Sequence, residues 1–329
     1  MRKRLLSLIL LITLSISGCG LSSSKESSSS GGSGVKIMFT YSQEDGNAFR
    51  DTLAQGAQEY AASVGSTVDC VYPEHSLEKQ IEQIKSAKSN GYGAIMCIAE
   101  DASTARQLEA AAGDLPIIFC NNAPDDATLK EDKYIYCASD EGVAGQLQAE
   151  YILNKYGSKD EINVVLLKGL DGHAATVGRT KTLKEGLNAS GKKINYVFDD
   201  FADFSTDMAR ADVNFVISKG KKFDIIVCNN DAMARGAILA LQDNGINPSD
   251  VPILGVDATQ DGCEAILAGE MVFTVYQPAA PQGAEAAKAA IELAKGGSIS
   301  DFDSLAEDKL HLWVPFESVD ASNAKDYLN

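Results

Sequence analysis

From Val35 onward the sequence alternates short β-rich apolar runs with longer amphipathic ones, and the alternation starts over midway along the chain. The first series predicts strands at Lys36–Tyr41, Thr67–Tyr72, Ala94–Ala99, Pro116–Asn121 and Tyr134–Cys137. Helices are expected between them at Ala48–Val64, Leu77–Asn90 and Ala102–Ala112. The strands are apolar along their whole length instead of alternating, as they must be when helices cover both faces of a parallel sheet. The second series opens with a helix at Glu141–Tyr156. Strands follow at Asn163–Leu167, Ile194–Asp199, Asp224–Cys228, Pro252–Val256 and Phe273–Val275, with helices at Ala174–Ala189, Thr206–Lys219, Ala232–Asn244 and Gln260–Ala268. A helix at Pro281–Lys295 and an extended stretch at His311–Pro315 close the chain. Two β/α series of similar size imply an α/β protein with two doubly wound parallel-sheet lobes, each with its own core. The expected division is residues 35–138 plus 279–310 for the first lobe and 139–278 plus 311–329 for the second, with three crossings acting as a hinge.

Composition narrows the function. With 29 Lys+Arg against 46 Asp+Glu, the net charge of −17 is wrong for tracking a nucleic-acid backbone or adhering to an anionic lipid surface. Only three histidines, widely spaced, argue against a His-built metal centre.

The N-terminus has its own logic. Met1-Arg2-Lys3-Arg4 precedes the apolar stretch Leu5–Ile16 and then Ser17-Gly18-Cys19, the pattern of an export signal over residues 1–18. The twelve residues of that stretch would rise about 18 Å as a helix, short of the roughly 30 Å hydrocarbon core. Ile16-Ser17-Gly18-Cys19 resembles the bacterial lipobox, which makes Cys19 the expected lipidation site. Residues 19–34 are mostly Ser and Gly and cannot build a core; as a flexible coil they reach roughly 20 Å. The expectation is a body tethered by lipid to the outer face of the bacterial cell membrane. The other six cysteines fall mostly in strand candidates, so free thiols are expected, with Cys97–Cys120 the pair to check.

Ligands of open parallel sheets bind beyond the carboxyl ends of the strands. The residues there include the segment Ser42–Arg50, Asn121-Asn122, Lys168–His173, Asp199–Phe204, Asn229-Asn230-Asp231, Asp257 and Gln277. Amides, carboxylates, Arg and aromatics collect, without a nucleophile–base pair. Each sugar hydroxyl donates and accepts, and Asn and Gln answer both ways. Asp and Arg add stronger charge-assisted bonds, and flat rings cover the apolar side of a pyranose.

Several strings, in order, carry a resemblance: Phe119-Cys120-Asn121-Asn122-Ala123-Pro124, Ala138-Ser139-Asp140, Val164–Gly169 leading to Gly172-His173 and Arg179, Asn229–Ala234, and Gly255-Val256-Asp257. From about Val35 to Asp320 the chain resembles the periplasmic sugar-binding proteins of ABC importers with the ribose/galactose-type fold, most closely the galactose/glucose-binding branch. The resemblance implies stacking aromatics at Phe49 and Phe204 and polar contacts at Asn47, Asn121, His173, Arg179, Asn230, Asp257 and Gln277. The first contact, by the same token, falls on Tyr41, Ser42 or Gln43. A binding Asp of that branch is Ala175 here, and its calcium loop has no counterpart in Asn154–Glu161, so no metal is expected. The implied function is capture of a monosaccharide between the lobes, without cofactor and without catalysis, by a monomer that hands it to an ABC permease; a chemoreceptor or sensor kinase is the alternative partner. Competing structural roles are also open. Asp231 and Asp140 fit helix N-caps, His173 and Arg179 could be surface residues, and the two Phe could be core.

Overall fold

The computed structural model describes residues 34–43 and 49–328. The export signal, the tether up to Ser33, Cys19 and Asn47 lie outside them. The first lobe begins with β1 (Lys36–Thr40), α1 (Phe49–Ser63), β2 (Thr67–Val71), α2 (Leu77–Ser86), β3 (Ala94–Cys97), α3 (Ala105–Ala112), β4 (Ile117–Cys120) and β5 (Tyr134–Ala138). The second lobe runs through α4 (Glu141–Tyr156), β6 (Glu161–Lys168), α5 (Ala174–Ala189), β7 (Lys193–Phe201), α6 (Thr206–Ser218), β8 (Ile225–Cys228), α7 (Asp231–Asp243), β9 (Ile253–Leu254), α8 (Gln260–Leu267) and β10 (Thr274–Tyr276). Then come α9 (Ala279–Ala294), β11 (His311–Trp313) and β12 (Glu317–Val319).

The first sheet is wholly parallel, in the order β11-β5-β4-β3-β1-β2. Alternate residues of its strands enter different cores. Ile37 and Phe39 pack with α1 and α9, whereas Met38, Ile95 and Phe119 pack with α2 and α3. Both faces are therefore apolar, which is why the strand runs are continuous in sequence. Helices α1 and α9 approach closely at Gly56 and Gly283. A Cβ on Gly283 would lie 1.9 Å from the Leu53 carbonyl oxygen, so only glycine fits there.

The second sheet pairs β7-β6-β8-β9 in parallel. Strand β10 extends it through parallel bridges Leu254–Phe273 and Asp257–Tyr276, and β12 pairs antiparallel with β10 at the edge. Its two faces are again buried, around Val165, Ile226 and Met233 on one side and Val164, Leu166 and Val227 on the other.

Three differences from the expected organisation stand out. His311–Trp313 belongs to the first sheet, since β11 runs parallel to β5 with His311 opposite Tyr136; the third crossing follows Trp313 and does not precede His311. Strand β12 was not anticipated, because three residues paired at an edge carry no periodicity. At the start of α7 the N-cap is Asn230, whose side chain accepts from the Met233 N–H at 3.0 Å, and not Asp231. Asp140 does cap α4, accepting from the Gly142 N–H at 2.9 Å. The left-handed helix ends fall at Gly91 (φ 80°) and Gly245 (φ 67°), each the glycine of an Asn-Gly pair. The six cysteines from Cys70 to Cys263 are all free.

The crossings are bound together. Ser139 Oγ donates to the Val314 carbonyl at 2.6 Å and accepts from Gln282 Nε2 at 2.8 Å, while the Val314 N–H donates to the Ala138 carbonyl at 2.9 Å.

Candidate functional site

Because both sheets are parallel, all their loops of one type open on one edge, and the two edges share a cavity of about 470 Å³. That volume lies in the range of small-molecule sites. The first lobe lines it with Phe49 and Arg50 at the start of α1, His75 before α2, Ala99 and Glu100 after β3, and Asn121 and Asn122 after β4. The second lobe adds Leu170, His173, Ala175, Arg179, Asp203, Phe204, Asn230 and Asp257, and the crossings add Glu141 and Gln277. Phe49, Asn121, His173, Arg179, Phe204, Asn230, Asp257 and Gln277 thus come together around one space. Asn47 lies outside the described residues.

Arg179 is the centre of the second-lobe half. It is buried, on the second turn of α5, and its guanidinium reaches four neighbours. Nε donates to Glu141 Oε2 at 2.7 Å, Nη1 to the Asn229 carbonyl at 2.6 Å and Nη2 to Gln277 Oε1 at 3.1 Å. Asp257 Oδ1 lies 3.6 Å from Nη1. Burial works against the positive charge, but Glu141 and Asp257 outweigh it, and the pKa of Arg179 rises. Gln277 also donates weakly to Glu141 Oε1 at 3.4 Å, so both crossings that flank the site are tied to one guanidinium.

Asp257 ends the β9 edge with a left-handed backbone (φ 118°), its N–H donating to the Val275 carbonyl at 2.7 Å. Burial pushes its carboxyl up to about 8, with Asp231 and Glu141 adding to the effect and Arg179 opposing it. Asp231 is wholly engaged away from the cavity: Oδ1 accepts from Thr274 at 2.6 Å, and Oδ2 accepts from the Thr259 N–H at 2.8 Å and its hydroxyl at 3.1 Å. It fastens the loop that presents Asp257.

His173 caps α5, its Nδ1 accepting from the Ala175 N–H at 3.2 Å, so cap and cavity wall are the same residue. Burial, then the charges of Arg179 and Arg50, lower its pKa to about 4, and it is neutral at pH 7. Its ring meets Phe204 edge-on, centroids 5.5 Å apart. Phe204 lies so near Gly169 that a Cβ there would come within 2.0 Å of its ring. Ala175 sits buried in the wall and makes an apolar patch there.

In the first lobe, Asn121 has a left-handed backbone (φ 57°) and its carbonyl accepts from the Tyr136 hydroxyl at 2.9 Å. Asn122 donates to the Ala99 carbonyl at 2.9 Å. Tyr41, Ser42 and Gln43 are not among the lining residues. Tyr41 is buried with its hydroxyl on Asp51 at 2.8 Å, Ser42 Oγ accepts from the His75 N–H at 2.7 Å, and exposed Gln43 reaches Asp51 at 3.1 Å.

The sequence reading missed His75, Glu100 and Glu141, and it held Arg50 only within the strand-end segment Ser42–Arg50. The strand ends read from the sequence do not include those of β2 and β3, which is where His75 and Glu100 stand. Glu141 follows a cap residue and looks like ordinary first-turn acid. As a result the cleft carries more carboxylate than the amide-rich reading implied.

Comparison with known proteins agrees with this architecture. Residues 37–298 match the periplasmic binding protein domain. A putative rhizopine-binding protein of Rhizobium meliloti is 30% identical over 283 residues, 85% of this chain and 88% of that one. The D-galactose/methyl-galactoside binding periplasmic protein of Haemophilus influenzae is 30% identical over 265 residues, 76% of this chain and 78% of its own. Among solved structures, an ABC transporter solute binding protein from Bacillus halodurans with bound myo-inositol is 26% identical. It aligns with a TM-score of 0.77 over 90% of this chain and 98% of its own. With two sheets of parallel strands facing one polar cleft, and with residues 37–298 matching the family's domain, this chain belongs to the periplasmic binding protein family.

Proposed function

We propose that the protein captures a monosaccharide or cyclitol of hexose size between its lobes and delivers it to an ABC permease from a lipid anchor at Cys19. One observation carries this reading: aromatic rings, carboxamides, Arg179 and Asp257 from both lobes converge on a single cavity of about 470 Å³. Asp257 accepts from ligand hydroxyls. Arg179, with five N–H groups and three named hydrogen bonds, keeps donors for ring or hydroxyl oxygens. Asn121 and Asn230 both donate and accept, and Phe49 and Phe204 cover the C–H faces. A ligand bridging the lobes replaces their hydration and shifts the population toward a closed form, with rotation absorbed at the three crossings. The similar myo-inositol-bound and galactoside-binding proteins support a hexose-sized polyol.

The test is a calorimetric screen of the protein from Gly34 onward against pentoses, hexoses and cyclitols. A ligand specific to the folded state raises the melting temperature and releases or absorbs heat. Tight binding of an unrelated metabolite, with the saccharides silent, refutes the assignment. Incorporation of labelled palmitate, lost in Cys19→Ser, tests the anchor.

A further inference from the structure

We propose that Glu100 forms a subsite for a protonated amino group, so that the preferred ligand is an aminated monosaccharide or cyclitol. This inference rests on the sugar-class reading above and adds to it a charge.

Glu100 stands at the carboxyl end of β3, in the wall of the cavity, with its side chain only 10% exposed. Its Oε1 is buried and accepts a hydrogen bond from no donor among the described residues. Its Oε2 lies 3.5 Å from Nδ1 of His75, a side chain that is itself largely in solvent. The backbone that carries the carboxylate is held in place. Gln80, fully buried on α2, accepts from the Glu100 N–H at 3.0 Å and donates to the Ile98 carbonyl at 2.9 Å. Asn122 fixes the Ala99 carbonyl from the neighbouring loop. A buried carboxylate with an orphaned oxygen is costly unless a partner arrives, and a fold that fixes the backbone on both sides of it presents it to something.

The charge of the cleft says what that partner is. Glu141 and Asp257 both lie on Arg179, so the guanidinium already answers two acids. Four acids, Glu100, Glu141, Asp203 and Asp257, line the cavity against two guanidiniums, Arg50 and Arg179, so acid is in excess there. A hydroxyl would give Glu100 one neutral donor. An ammonium gives it a counter-charge and three donors, and charge-assisted bonds are about twice as strong.

The experiment titrates the protein by calorimetry with matched probes: glucose against glucosamine, galactose against galactosamine, and myo-inositol against an amino-deoxy-inositol, with N-acetylglucosamine as the uncharged amide. At least one aminated probe should bind about tenfold or more tighter than its neutral partner, and N-acetylation should abolish the gain. In Glu100→Gln the preference should vanish while the unliganded melting temperature holds or rises, because a buried charge has been removed; a residue of structural role alone would lower it. Neutral probes binding as tightly as aminated ones, or a preference that survives Glu100→Gln, overturns the subsite and leaves sugar capture standing. Silence from every probe, neutral and aminated, refutes sugar capture itself.

Discussion

The two halves of the cleft are built differently. In the second-lobe half, Arg179, Glu141, Gln277, Asp257 and Asn229 are joined by hydrogen bonds and ion pairs into one unit, and Asp231 braces the loop behind it. In the first-lobe half, Asn121, Asn122 and Glu100 are fixed through their backbones or neighbours, while side-chain groups such as Glu100 Oε1 stay unspent. One half is preorganised by its own network, and the other holds capacity in reserve. The second lobe should therefore be the first docking surface for ligand, with the first lobe closing over it.

The strongest way to break this contrast is Arg179→Met. It leaves Glu141 and Asp257 with no cation in a buried site, and removing one member of such a group typically costs about 3–5 kcal/mol. Denaturant unfolding should show that loss, together with loss of ligand binding. A first-lobe change such as Phe49→Ala, at a ring only partly buried against the first core, should lower the unfolding midpoint less while still weakening binding. Equal destabilisation by the two variants would show that the halves are not distinct.

Asp257→Asn comes next. Losing a carboxyl oxygen that accepts from ligand hydroxyls in a buried contact costs about 2 kcal/mol of binding, roughly thirtyfold, measurable by calorimetry. It should also change the pH profile in a signed way. Burial raises the Asp257 carboxyl to about 8 from an ordinary 3.8, so between those values the folded state holds a proton that the unfolded chain has released. The stability this contributes is present below the ordinary carboxylate range and is lost as pH rises toward 8. Relative to wild type, Asp257→Asn should gain stability across that window. His173 acts in the opposite sense. Its pKa is lowered to about 4 from 6.5, so its contribution is present above 6.5 and is lost as pH falls through 4. His173→Asn, which keeps a capping side chain, should flatten that acid limb. A wild-type-minus-variant difference that does not change with pH would remove both groups from the network.

How much of this was legible beforehand follows the physics of each signal. Strands buried on both faces announce themselves, and β1 to β5 fall within two residues of the apolar runs. Helices α4 and α5 begin and end where caps and periodicity place them. Strand β12 does not, and β11 was legible as the extended stretch His311–Pro315 but not as a strand of the first sheet, since three-residue edge pairs depend on partners far along the chain. The same division holds in the site. Arg179, Asp257 and Asn230 were readable as strand-end or family-string residues, but that Arg179 binds Glu141 and Gln277 is a tertiary fact with no local trace. Asp231 was assigned the capping role of its neighbour because both are strong capping types one residue apart. Glu100 gives no periodic or motif signal; only its burial beside an empty hydrogen-bonding position distinguishes it from a surface acid.

Phe204→Ala tests the wall that faces the reserve half. Removing the ring should weaken capture about tenfold without changing which hydroxyl pattern is preferred, because stacking reads the C–H face and not the hydroxyls. A change of preference in a competition assay would assign Phe204 a different role.

Gly169→Ala should give the smallest effect and the sharpest reading of how the platform is positioned. The glycine backbone conformation tolerates alanine, but the new Cβ would stand 2.0 Å from the Phe204 ring. The ring must tilt away, and the His173 edge contact at 5.5 Å moves with it. Phe204 is half-buried at a cavity wall and has room to yield, so the stability cost should stay near 1 kcal/mol. Binding should fall a few-fold, in the same direction as Phe204→Ala but less. If Gly169→Ala binds as wild type while Phe204→Ala does not, ring presence matters and ring placement does not. The preorganisation of the second-lobe half then resides in its charged network alone.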